Sequence, residues 1–96
     1  MKLWHISQTE NNGYDTYDSA VVAAETEDAA RRWHPGEYFF RDGKWWFARD
    51  GAQVHRDWSA HDWVEIPAVG VVAVRLIGEA VEGTKAGVVC ASFNAG

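Results

Sequence analysis

An α+β domain with a mainly antiparallel sheet, one short helix and an aromatic-rich β-meander is the fold this sequence predicts. Three observations carry it. Strand-forming runs stand at both ends of the chain, one stretch alone has the capping residue and charge order of a helix, and two Asp-Gly pairs are set among Phe, Trp and Tyr in the middle. The chain has 96 residues, 47% of them hydrophobic, which supports a single domain over residues 1–96 with one core. Two prolines and the lack of any long polar tract argue against a disordered protein.

Residues 3–7 and 20–24 read as strands, joined by a long loop over 8–19 that is rich in Asn, Gly, Asp and Ser. Thr26 is placed to cap a helix whose first turn holds Glu27 and Asp28 and whose last holds Arg31 and Arg32, the order that suits the helix dipole. Ala29, Ala30 and Trp33 form its inner face, and His34-Pro35-Gly36 ends it. Residues 38–54 carry Asp42-Gly43 and Asp50-Gly51, so two tight turns give a three-stranded meander. Residues 71–77 and 87–93 are strand-like, and the polar run 78–86 joins them as a hairpin.

A two-residue turn at Asp42-Gly43 sets the meander's register: Arg41 faces Lys44, Phe40 faces Trp45, Phe39 faces Trp46 and Tyr38 faces Phe47. A second such turn puts Val54 beside Phe47 and His55 beside Trp46. One face then holds Tyr38, Phe40, Trp45, Phe47 and Val54, apolar enough for core. The other holds Phe39, Trp46 and His55, with Arg41 and Lys44 at its end.

Net charge is −5, against unspecific binding to nucleic acid or anionic lipid, but residues 31–56 hold six bases and three acids. This basic middle also contains most of the aromatic residues, so attraction for anions and flat stacking surface coincide. The uncharged run 66–74 contains a proline and a glycine, and no uncharged run reaches the roughly 20 residues that span a bilayer. A lone cysteine, Cys90, and the absence of a secretory signal point to a cytoplasmic protein.

The opening, centred on Asn11-Asn12-Gly13-Tyr14-Asp15-Thr16-Tyr17-Asp18-Ser19-Ala20-Val21-Val22, and the close, Gly87-Val88-Val89-Cys90-Ala91-Ser92-Phe93-Asn94-Ala95-Gly96, resemble a family of small uncharacterised proteins of tailed bacteriophages and prophages. With the short helix and residues 71–80, the resemblance covers about two-thirds of the chain. It implies an accessory protein acting on host machinery or host defence in the host cytoplasm. The Trp-rich middle, 36–63, departs from the rest.

A planar anionic ligand such as a nucleotide needs a ring to stack on and cations for its phosphate, and Phe39, Arg41, Lys44, Trp46 and His55 supply both. The plainer reading of the same residues is packing, against the helix on one face and a subunit on the other. Tyr14, Asp15, Tyr17 and Asp18 form a second candidate, two phenols and two carboxylates on a long loop, suited to ribose hydroxyls or a basic partner. Their alternative is a self-packed loop. His55, Asp57, His61 and Asp62 have ligand atoms without a metal-binding spacing and read as solvated loop residues, and Cys90 reads as a small buried apolar group. No catalytic residue, metal or cofactor is assigned. The expected role is sequestration of a small anionic host molecule, plausibly a nucleotide-type defence signal. The alternative is an inhibitor that binds a host protein through its acidic or aromatic surface, and a small hydrolase using His55, His61 and the nearby carboxylates ranks third. The apolar surplus of six tryptophans predicts a homo-oligomer.

Overall fold

The computed structural model describes residues 1–55, 58 and 61–94. Their named elements, in chain order, are β1 (Lys2–Ser7), β2 (Thr16–Ala24), α1 (Glu27–Arg31), β3 (Trp33–His34), β4 (Tyr38–Arg41), β5 (Lys44–Phe47), β6 (Ala73–Glu79) and β7 (Gly87–Asn94). The strands are antiparallel throughout and form two sheets, β6-β1-β2-β7 and β3-β4-β5. No helix among the described residues is long and apolar enough to cross a membrane.

Alternation builds the larger sheet. Trp4 and Ile6 lie opposite Val22 and Ala20, and all four are buried, while Leu3, His5 and Val21 alternate onto the other face. β2 begins at Thr16, four residues before the expected start, so Tyr17 and Asp18 belong to a strand and the loop shrinks to 8–15. The reason is β7: Thr16 and Tyr17 pair with Asn94 and Phe93, so the main chain of this polar stretch finds strand partners that local composition does not reveal.

The expected hairpin between the last two strands is replaced by a different topology. β6 pairs with β1 and β7 with β2, so they lie on opposite edges of the sheet. Both outer edges of the β1-β2 hairpin need hydrogen-bond partners, and each late strand satisfies one. Cys90, expected in the interior, is exposed because β7 is an edge strand.

α1 lies against β1, β2 and β6, with Ala30 fully buried and the Thr26 hydroxyl accepting the Ala29 N–H at 3.1 Å. It stops at Arg31, earlier than expected. The Arg32 carbonyl accepts the Phe40 N–H at 2.8 Å, and Trp33 and His34 pair with Phe39 and Tyr38, so the chain leaves the helix to become the edge strand of the second sheet. Trp33, Trp45, Trp63, Val54 and Val72 join Trp4, Ile6 and Val22 in one buried cluster.

Candidate functional site

The β4-β5 hairpin has the register the sequence predicts, with Arg41 opposite Lys44, Phe40 opposite Trp45, Phe39 opposite Trp46 and Tyr38 opposite Phe47. Asp42 and Gly43 both take positive φ, 54° and 74°, the requirement of a two-residue turn whose twist matches its strands. Trp45 is 5% exposed, packs edge-on against Phe40 at 5.1 Å and donates from Nε1 to the Glu65 carbonyl at 2.9 Å. That bond holds the segment 65–69 alongside the hairpin.

Two grooves open at the turn. One, of about 370 Å³, is lined by Phe40, Gly43, Lys44, Trp45, Gln53, Val54, Glu65 and Ile66. The other, of about 360 Å³, is lined by Arg31, Arg32, Arg41, Asp28, Asp42, Phe40, Gly43 and 67–69. They share Phe40 and Gly43, so Arg41 and Lys44, facing each other across the turn, each serve one groove.

The second turn differs from expectation. Val54 donates to the Trp45 carbonyl, Gln53 bridges to Trp46 and Phe47 donates to the Ala52 carbonyl, a shift of two residues that puts Gln53 where His55 was expected. The Asp50 carboxylate accepts the Ala52 N–H at 2.9 Å, so the aspartate closes an Asx turn and the loop takes four residues. Gln53 is left as a bridge instead of a strand, and the second sheet draws its third strand from Trp33 and His34. The exposed His55 lies with its ring 6.1 Å from Trp58 and is not part of the Trp46 face.

Trp46 and Arg41 remain together: the guanidinium stands 4.9 Å from the indole centroid, and Trp46 Nε1 donates to the Arg41 carbonyl at 2.8 Å. Phe39 is engaged from within, with Trp33 edge-on at 5.1 Å. Of the five residues expected on this face, Arg41, Lys44 and Trp46 gather at the turn, Phe39 packs on Trp33, and His55 is displaced.

Neither groove includes Tyr14, Asp15, Tyr17 or Asp18. The loop before β2 is bonded internally and to its neighbours: Thr16 donates to the Gly13 carbonyl at 2.7 Å, Asp15, at φ 59°, donates its N–H to Asn94 at 2.6 Å, and Asn11 donates to the His61 and Trp63 carbonyls at 2.9 and 3.0 Å. Tyr14 projects from it, 79% exposed, and Asp18 is exposed on β2.

Sequence reasoning missed a buried polar cluster around His34. Its Nδ1 accepts the Gly36 N–H at 2.8 Å, which assigns the ring proton to Nε2, and Nε2 lies 2.9 Å from Asp62 Oδ1. The approach is short but poorly aligned, since Oδ1 is buried without a hydrogen bond of acceptable geometry. Asp62 is therefore the partner of a core histidine, not a solvated loop residue. The rings of Tyr38, Trp45 and Tyr17 surround His34 at 4.5, 5.4 and 6.0 Å. Burial, and then the Asp62 charge, raise the Tyr17 and Tyr38 phenols above their ordinary value. His34 is wholly enclosed, which makes this cluster a framework for the hairpin and withholds it from a substrate. Asp57 lies outside the described residues.

In the sequence Arg31 and Arg32 count among the bases of the middle segment and as helix-ending charges, with nothing to join them to Arg41. The Trp33–Phe39 pairing and the Phe40 N–H bond to the Arg32 carbonyl bring the end of α1 to β4, so Arg31, Arg32 and Arg41 line one groove. Comparison with protein-family models, with curated proteins and with solved structures finds no match for the chain.

Proposed function

We propose that this chain is a phage-encoded accessory binding protein that sequesters a small anionic host molecule of nucleotide type, a defence signal, in the host cytoplasm. The observation that carries the reading is the turn end of the β4-β5 hairpin, where exposed Arg41 and Lys44 each border a groove and both grooves meet at the Phe40 ring. Cations and aromatic surface at one rigid turn are what a planar anion requires, and the aromatic-rich meander is the stacking platform. The phage assignment rests on the resemblance of the two terminal motifs.

The test is to incubate purified protein with lysate of infected cells and identify the small molecules it releases by mass spectrometry. A retained anion is expected, and the Arg41→Ala/Lys44→Ala variant should lose at least about tenfold in affinity while its melting temperature stays unchanged, because both side chains are exposed. Full retention by the double variant would remove the hairpin end as the site. A second reading, binding to a host protein, draws on the exposed Tyr14 between acidic residues, and recovery of a host protein with no small molecule would favour it.

A further inference from the structure

Resting on the anion-binding reading above, we infer that the group recognised is a phosphoryl group and that it sits in the groove of Arg31, Arg32 and Arg41, so that two of the three binding cations come from the end of α1. Arg31 and Arg32 are neighbours in sequence, and Arg41 meets them because β3 carries the chain straight out of the helix into pairing with β4. Phe40 N–H to Arg32 carbonyl, at 2.8 Å, is the last bond of that pairing, and it brings the end of α1 to β4.

The state of Arg31 supports a ligand. It is 8% exposed, its terminal nitrogen donates to Glu27 at 2.9 Å, and its Nε is buried with no hydrogen-bond partner. A guanidinium is costly to bury with donors unmet, and an oxyanion in the groove would repay that cost by neutralising the cluster. The neighbouring carboxylates neutralise the three arginines unequally. Glu27 is 2.9 Å from Arg31 and Asp28 3.0 Å from Arg32, whereas Asp42, largely exposed, approaches Arg41 only to 3.9 Å, so Arg41 is the least neutralised of the three. The carbonyl end of a helix repels anions, but here the Arg32 carbonyl is already taken by Phe40 and the helix has only five residues.

Several guanidinium-bearing residues around one groove offer more donors than a planar carboxylate can use and suit a tetrahedral group with several oxygens. The groove, at about 360 Å³, has room beyond a phosphate, and Phe40 with the apolar stretch 67–69 forms the wall that the remainder of the ligand would meet.

Pyrophosphate, adenosine 5′-monophosphate, adenosine and acetate titrated calorimetrically at low salt into the full chain, and into Arg32→Ala, Arg41→Ala and Lys44→Ala, test this. Pyrophosphate and the monophosphate should bind, adenosine and acetate should bind far more weakly, and Arg32→Ala should weaken both phosphates about tenfold at unchanged melting temperature. Arg32 is chosen over Arg31 because its side chain is substantially exposed and its loss spares the core. Phosphates that bind Arg32→Ala as well as wild type, or that do not bind at all, overturn the inference. A retained anion lacking a phosphoryl group in the lysate experiment would overturn it while leaving the sequestration reading intact.

Discussion

Trp45 and Trp46 are neighbours whose side chains part at the strand. Trp45 enters the cluster with Phe40, His34 and Val54, whereas Trp46 lies half-buried under the Arg41 guanidinium. Trp45→Ala should therefore destabilise by about 3–5 kcal/mol in denaturant titration, the range for deleting a large buried aromatic. Trp46→Ala should cost much less and lower anion affinity by loosening Arg41; equal losses of stability would show that both rings serve the core. The tyrosines make a second prediction at this scale. Tyr17 and Tyr38 are raised by burial and by Asp62, so their protonated phenols favour the folded state. That contribution is whole below about pH 10, where unfolded tyrosine titrates, and is lost as pH rises through the higher folded values. Stability should fall above about pH 10, and Asp62→Asn should lessen the fall; an Asp62→Asn curve parallel to wild type would refute the coupling.

The β4-β5 hairpin was legible residue by residue, since Asp42-Gly43 permits two consecutive positive φ values and alternation follows from there. Asp50-Gly51 has the same letters and another outcome, because the Asp50 side chain captures the Ala52 N–H and lengthens the turn. Gly43 tests the hairpin as an element. Its φ is 74° with open space where a Cβ would lie, so Gly43→Ala introduces backbone strain without a clash. It should cost about 1 kcal/mol and disturb both grooves together, lowering anion affinity. Unchanged affinity with lowered stability would separate turn geometry from binding. The helix taught the opposite lesson: its cap and charges were readable, but its end was set by hydrogen bonds from β4.

For the molecule as a whole, the exposed large apolar residues that lie on strands, Leu76, Ile77, Val89 and Phe93, are on the two sheet edges and not on the hairpin from which self-association was expected. β7 runs eight residues without a charge or proline and exposes Val89 and Phe93, while the other edge, β6, carries Arg75 and Glu79 and pairs through a bulge. Charge and irregularity are how sheets discourage edge pairing, and β7 lacks the first of these. We propose that two copies pair β7 to β7, a closed arrangement that leaves β6 outside. Sedimentation should give a dimer at micromolar concentration and a monomer for Val89→Lys; a wild-type monomer would end the proposal.

By itself the sequence determined the strand-forming runs, the helix cap, the first hairpin with its register and the gathering of cations and rings in the middle of the chain, all properties of residues close together. Tertiary structure alone decided the rest. It placed β6 and β7 on opposite edges, turned Trp33 and His34 into a strand, enclosed His34 against Asp62 and brought Arg31 and Arg32 to Arg41. Each of these depends on where main-chain donors and acceptors find partners across long separations. Local propensity carries no record of that choice, because it is made by the whole sheet at once.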